Sequence, residues 1–225
     1  MADPRRQHLV PIAGLFSATL IMSLILAGKI VTVGGLTFSA AVIVFPLSYV
    51  FGDVLTEVYG YASARRVVWA GFAAQLVWIV AYTIAAALPP APFWPHQAAF
   101  ETVLGSTPRA AFAGMTAYLC GEFLNSYVLA KMKLRSSGRF LALRLVASTV
   151  LGQGLDTGIF VLLAFGGVFG TDELLRIMLG AWMLKVAWEI AALPLSLLLI
   201  AWLKREEGED HFDRNTDFNP FRLKE

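Results

Sequence analysis

The segment LLRIMLGAWMLKVAWEIAALPLSLLLIAWL, residues 174–203, is almost continuously apolar. At 1.5 Å per residue, a helix of this length exceeds the roughly 30 Å of hydrocarbon in a bilayer. Polar and apolar residues do not alternate along it, as they would in a barrel strand, so a transmembrane helix is predicted. Three charged residues interrupt the segment: Arg176 near its start, and Lys185 and Glu189 near its middle. Charges inside a membrane helix usually have a function.

Five further apolar runs precede this segment, so we predict an all-α integral membrane protein with a bundle of about six transmembrane helices. The composition agrees, because 57% of residues are hydrophobic and only 15% are charged, against about a quarter charged in soluble domains. The run Leu9–Ala27 is too long for a signal-peptide core and counts as the first helix. The other predicted helices are residues 36–59, 67–88, 110–130 and 140–165.

Basic residues are concentrated on one side of the predicted bundle, which sets its orientation. The positive-inside rule then predicts that both termini face the cytoplasm of a multi-pass inner-membrane protein. We divide the chain into a transmembrane domain, residues 1–205, and a polar cytoplasmic tail, residues 206–225, which we expect to be mobile. In the longest outer loop, residues 97–104 are predicted to form a short interfacial helix. The basic residues on the cytoplasmic side are Arg5, Arg6, Arg65, Arg66, Lys131, Lys133, Arg135, Arg139, Lys204 and Arg205.

Several classes of protein are excluded by what the sequence lacks. The net charge is only +2 and no basic stripe is present, so no nucleic-acid partner is expected. His8, His96 and His211 lie outside the predicted helices, so no intramembrane histidine–metal site is expected. Neither a P-loop nor a GxSxG motif occurs. We therefore predict no enzyme, no catalytic residue and no cofactor, and energy that comes from a gradient or a partner.

Four predicted helices carry polar residues three or four positions apart, which places each pair on one helix face. A charged side chain near the bilayer centre costs roughly 2.5–3.5 kcal/mol on insertion scales. Five acids accompany one base, Lys185, so some acids are protonated or the helices enclose a wet cavity with a cationic ligand. The pairs are Asp53 with Glu57, Glu122 with Asn125, Gln153 with Asp156, and Lys185 with Glu189.

Each pair also has a purely structural interpretation. Asp53 and Glu57 could bind the arginines that follow their helix, and Asn125 and Gln153 could form plain interhelical hydrogen bonds. Lys185 precedes its acid along the helix, which is the weaker order, so we expect it to reach an acid on another helix. Four polar faces together favour one shared cavity that suits a small polar solute.

Two backbone features accompany these pairs. Gly152, Gly154 and Gly158 give small-residue spacing on the predicted fifth helix, with Gly154 and Gly158 in GxxxG register, and close helix packing is the favoured interpretation. Pro46, inside the second apolar run, either breaks that helix beside a binding site or only kinks it.

The segment FPLSYVFGDVLTEVYGYASARRVVW, residues 45–69, resembles the signature of the queuosine precursor transporter family, also called the vitamin uptake transporter group. The similarity continues through residues 99–114, GEFLN at 121–125, LGQGLDTGIF at 151–160, and the Lys185–Glu189 spacing. It covers nearly all of the chain from the second helix onward, and the block at residues 45–69 is its most specific part.

The resemblance implies import of 7-cyano- and 7-aminomethyl-7-deazaguanine, the small-molecule precursors of queuosine in tRNA, across a lipid bilayer. It implies six helices and is compatible with a homodimer. A guanine-like base offers an N1–H and an exocyclic amine that one carboxylate accepts together. Glu122 and Asp156 both suit this role, and the sequence does not choose between them. The residues assigned to substrate binding are Glu122, Asn125, Gln153, Asp156, Lys185 and Glu189.

Residues nearer the cytoplasm are assigned to gating or proton coupling, namely Asp53, Glu57 and Arg66. Two other functions remain open. One is a substrate-binding subunit of a vitamin transporter that needs an external energising ATPase. The other is a membrane-embedded enzyme, against which stands the lack of any nucleophile–base arrangement.

Overall fold

The computed structural model describes residues 6–27, 29–33, 36–104 and 108–222, and these are helical almost throughout, which confirms the all-α prediction. The helices α1, α3, α6 and α7 are long and apolar enough to cross a membrane. α5 is also long, at 28 residues, but small and polar residues lower its hydropathy. The helices are α1 (Leu9–Ala27), α2 (Phe45–Tyr59), α3 (Tyr61–Ala87), α4 (Gln97–Leu104), α5 (Pro108–Arg135), α6 (Leu141–Phe165) and α7 (Thr171–Glu206).

The second apolar run differs from its prediction as one long helix. It forms the strand β2 (Leu36–Ser39), a 3₁₀ turn (Ala40–Ile43) and then α2, while β2 pairs antiparallel with β1 (Ile30–Val33). Pro46 stands in the first turn of α2, where the N–H that proline lacks would have no helical partner. It therefore starts a helix rather than kinking one. With 15 residues, α2 extends only roughly 22 Å.

The two ends of the chain meet at one end of the bundle. The guanidinium Nε of Arg6 donates to Glu209 at 3.0 Å, and the backbone N–H of His8 donates to Glu207 at 2.8 Å. The α2–α3 junction at Gly60 and the carboxyl ends of α5 and α7 lie at this same end, which we call the terminal face. The apolar core fills the terminal half of the bundle and includes Phe16, Val54, Val58, Leu129, Leu145, Ile200 and Leu203.

The tail is docked, so the prediction of a mobile segment is wrong for residues 207–222. Both carboxylate oxygens of Asp213 accept from the backbone N–H of Tyr61 at 3.1 Å, which caps the start of α3. Arg65 and Trp69 donate to backbone carbonyl oxygens of the tail at 2.7–2.8 Å. These acceptors are main-chain atoms, and main-chain acceptors leave no signature in the amino-acid sequence.

The helices α5 and α6 approach most closely where two glycines face each other. A Cβ added to Gly121 would lie 2.6 Å from the Cβ of Asp156, and one added to Gly152 would lie 2.7 Å from the Cβ of Asn125. Neither glycine can carry a side chain without moving the partner helix. This crossing fixes the positions of Asp156 and Asn125.

The prediction of close helix packing is therefore wrong for Gly154 and Gly158. No atom lies within 4 Å of a Cβ built on Gly158, and Gly154 faces the indole of Trp182 at 3.5 Å. The helix contact uses Gly152, on a different face of α6. Spacing alone identified the correct helix but not the face that its partner covers.

Candidate functional site

A cavity of about 370 Å³ lies between the helices in the half of the bundle away from the terminal face. Small-molecule sites commonly enclose roughly 300–1,000 Å³, so the volume suits a compact ligand. The walls are mainly apolar and aromatic, with a few polar groups. The aromatic residues are Phe16, Tyr49, Tyr118, Phe160 and Phe165, and the main polar ones are Ser48, Gln75, Glu122, Gln153, Asp156, Thr157 and Lys185.

Two of the predicted substrate-binding residues form an ion pair in the cavity wall. Lys185 on α7 places its Nζ 3.1 and 3.2 Å from the two carboxylate oxygens of Asp156 on α6. The prediction that Lys185 reaches an acid on another helix is confirmed. Because each side chain is only 18% exposed, the pair satisfies much of its own charge, and Asp156 already has a cationic partner within the protein.

Glu122 is the carboxylate that this arrangement leaves for a ligand. It lines the cavity on α5, is 8% exposed, and within the described part of the chain no group donates to its Oε1. The carboxylate lies against Gly52 of α2, and a Cβ at that position would overlap with Oε1. Gly52 therefore provides the space in which the Glu122 side chain sits.

A hydrogen-bond donor lies on the neighbouring wall. The hydroxyl of Tyr49 donates to Oε1 of Gln153 at 3.2 Å. The amide oxygen of Gln153 is occupied in this way, and Gln153 itself lines the cavity. Four of the six residues predicted to bind substrate thus share one cavity, namely Glu122, Gln153, Asp156 and Lys185.

The other two, Asn125 and Glu189, lie deeper, behind the cavity wall. The Nδ2 of Asn125 donates to Oδ1 of Asp53 at 3.1 Å. Asp53 on α2 and Glu189 on α7 are both fully buried, and their carboxyl groups lie within hydrogen-bonding reach of each other. We call Asp53 and Glu189 the carboxyl pair.

A charge cluster closes the bundle at the terminal face. The buried carboxylate of Glu57 accepts from Arg144 at 2.5 and 3.0 Å and from Lys204 at 2.7 Å, and Lys133 lies 3.5 Å away. Asp210 of the tail binds Lys133 at 2.6 Å and Lys204 at 2.8 Å. Burial raises the pKa of Asp210, but hydrogen bonds from the two lysines outweigh it and hold the pKa below its usual value.

The structure does not bring Arg66 to Glu57. Arg66 is exposed and donates to the carbonyl oxygen of Ala62 at 3.3 Å. The arginine that binds Glu57 is Arg144, which is only 1% exposed. Both residues stand one or two turns from a helix end at the terminal face, which is the one sequence signal that could have paired them.

Metal ligation does not explain these acids. Within the residues that the structure describes, no three histidine, cysteine or acidic side chains come together as a metal site. Within the described residues, the arrangement is a mainly apolar cavity lined by a carboxylate whose Oε1 has no donor, above a carboxyl pair and a charge cluster whose members bind one another. It can bind a small polar molecule through donors on that molecule.

Comparisons with known proteins show which family the sequence matches. Residues 39–199 match the model of a family described as "Putative vitamin uptake transporter". A protein of Bacillus subtilis (strain 168) named "Probable queuosine precursor transporter" is 33% identical over 167 residues, which cover 74% of this chain and 73% of that protein. No solved structure matches the chain significantly.

Proposed function

The chain belongs to the vitamin uptake transporter family, and on that premise we propose that it imports queuosine precursors across the bacterial inner membrane. The substrates proposed are 7-cyano- and 7-aminomethyl-7-deazaguanine. The observation that carries the proposal is the aromatic cavity lined by Glu122, whose Oε1 has no donor among the described residues. The name of the Bacillus relative supports the same substrate class.

The chemistry of the base matches the walls of the cavity. The N1–H and exocyclic amine of a guanine-like ring point in one direction and donate together to the carboxylate of Glu122. The amide of Gln153 donates to an acceptor on the ring, and the aromatic side chains of Tyr118 and Phe160 cover its faces. The cyano and aminomethyl forms share this edge, so Glu122 recognises both.

The orientation of the bundle in the membrane is inferred from the distribution of its basic residues. Most basic residues lie at the terminal face, which we place in the cytoplasm together with both termini and the tail. The cavity then lies in the outer half of the membrane. The charge cluster and the carboxyl pair separate it from the cytoplasm, so the structure corresponds to a state closed on the inner side.

Ligand-dependent stability of the detergent-purified protein tests the substrate class. We expect either deazaguanine, at a hundred-fold excess over its Kd, to stabilise the protein by about 2.7 kcal/mol. Guanine, riboflavin and biotin serve as comparison ligands in the same melting assay. Stabilisation by riboflavin or biotin without any effect of the deazaguanines would contradict the proposal and favour a vitamin-binding subunit.

Replacing Gly52 by alanine is expected to reduce uptake with little effect on stability. The new methyl group displaces the Glu122 carboxylate from its place beside α2. The displaced group is the mobile end of a side chain, and alanine favours a helix over glycine by roughly 1 kcal/mol, so the fold is retained. Uptake of labelled base and melting temperature are measured on the same preparation.

Gly14→Ala in α1 is the matched control, because no atom lies within 4 Å of a Cβ at that position. It should leave uptake near the wild-type level. Equal uptake by the two alanine variants would show that Gly52 does not position Glu122.

A further inference from the structure

The carboxyl pair holds more hydrogen-bond acceptors than the surrounding helices can satisfy. Asp53 and Glu189 have no exposed surface. Asn125 donates to one oxygen of Asp53. Within the described residues, Oδ2 of Asp53, both carboxylate oxygens of Glu189 and the amide oxygen of Asn125 have no donor. A buried acceptor without a donor is costly, and a buried charge more so.

One proton resolves this arrangement. Two ionised carboxylates have no proton to donate to each other. Their like charges also repel when the groups lie within hydrogen-bonding distance. If one of them is protonated, its O–H donates to the other, and the pair becomes a single hydrogen-bonded unit with one negative charge. A metal ion is the alternative cation, but the described residues contain no group of three or more histidine, cysteine or acidic side chains placed to hold one, so carbonyl and amide oxygens would have to supply most of its ligands.

We propose that the Asp53–Glu189 pair is a proton-binding site and that its proton is coupled to movement of the solute through the cavity. The proposal rests on the function proposed above and adds the ion that drives it. The pair lies between the cavity and the charge cluster, which places it between the outer half of the bundle and the terminal face.

The neighbouring helices offer the pair no fixed positive charge. From α5 it meets Asn125 and the carboxylate of Glu122. On α6 and α7, Asp156 and Lys185 bind each other. At the terminal face, Arg144 binds Glu57 of α2.

Helices α1 and α3 add no compensating charge either. The sequence of α1 contains no titratable residue. Arg65 of α3 binds the tail, and Arg66 is exposed. A mobile proton is therefore the remaining source of positive charge for the pair.

Glu122 provides the link between proton and solute, because it lines the cavity and also acts electrostatically on Asp53. Three carboxyl groups this close in a buried site do not all ionise. A proton on the carboxyl pair lets Glu122 stay ionised and accept the N1–H and amine of the base. Transfer of that proton from the pair to Glu122 neutralises the acceptor of the base and favours its release, and the proton then leaves Glu122 toward the cytoplasm. By linkage, bound base then favours the proton to the same degree.

The test uses purified full-length protein in liposomes, with sodium and potassium equal on both sides. Counterflow of labelled 7-cyano-7-deazaguanine measures movement without a driving gradient, and an inward proton gradient measures coupling. We expect the wild type to accumulate base in response to the gradient. Asp53→Asn and Glu189→Gln should each lose that response, because the new amide donates to the remaining carboxylate without a titrating proton.

A second readout does not depend on transport. The wild type at neutral pH should show the infrared band of a protonated carboxyl group, and both variants should show less of it. Asp172→Asn, at the exposed start of α7, is the matched control and should change neither the band nor the gradient response.

The outcomes separate the two proposals. Wild-type counterflow without a response to the proton gradient, or a response only to a sodium gradient, overturns proton coupling and leaves the substrate proposal intact. An infrared band that persists unchanged in both variants overturns the pair as the proton site. Absence of deazaguanine counterflow in the wild type overturns the proposed function itself.

Discussion

Replacing Glu57 by glutamine is expected to lower the free energy of unfolding by about 3–5 kcal/mol, the usual cost of removing one partner from a buried ion pair. Arg144 and Lys133 are 1% and 2% exposed, so both would remain buried with no carboxylate from α2. Asp210 would be the remaining anion of the charge cluster, and its side chain is 46% exposed. Denaturation of the purified protein in detergent measures the change.

Glu209→Gln is the matched control for this prediction. Glu209 also binds an arginine, Arg6, but their side chains are 18% and 29% exposed. Solvent screening makes such pairs worth roughly 0–1 kcal/mol. If the two variants lost the same stability, the charge cluster would not act as a buried unit, and Glu57 would be better interpreted as a gating group.

The charge cluster shows how far sequence reasoning extends in this fold. The four-residue spacing correctly placed Asp53 and Glu57 on one face of a helix. It could not identify the partners of Glu57, because Arg144 and Lys204 come from helices that are distant in sequence. The distance of each residue from the end of its helix was a further signal, because Glu57 and Arg144 both lie near helix ends at the terminal face.

The N-terminal part of the fold could be predicted less well than the later helices. Residues 36–52 are mostly apolar, and an apolar run has the same appearance whether it forms a strand, a 3₁₀ turn or a helix. Pro46 carried the missing information, because proline is favoured in the first turn of a helix. The docked tail had no comparable signal, because carboxylates such as Asp210 and Asp213 are common in any polar tail and the acceptors for Arg65 and Trp69 are backbone carbonyl oxygens.

The candidate site was predictable as a set of residues but not as an arrangement. Periodicity identified all of the acids that the structure buries in the bundle. Which of them lines the cavity depends on the crossing of α5 and α6 at Gly121 and Gly152, and that crossing is a tertiary property. The ion pair of Asp156 with Lys185 then distinguishes Glu122 from Asp156 as the acceptor proposed for the base.

Replacing Glu122 by glutamine is expected to reduce uptake of both deazaguanines by about 100-fold or more. The base would lose two charge-assisted hydrogen bonds, each worth roughly 1.5–3 kcal/mol, and about 1.4 kcal/mol corresponds to a factor of ten in binding. The amide NH₂ of glutamine would also face the donors of the base. Stability should be retained, because the substitution removes a buried carboxylate whose Oε1 has no donor in the described structure.

Asp156→Asn gives the comparison that makes the assignment specific. It leaves Lys185 without its carboxylate partner, so it should lower stability as well as uptake, whereas Glu122→Gln should lower uptake alone. Glu101→Gln, on the exposed α4, controls for loss of one negative charge outside the cavity. Normal uptake by both cavity variants would contradict the site as assigned. A loss confined to Asp156→Asn would transfer recognition of the base from Glu122 to the ion pair.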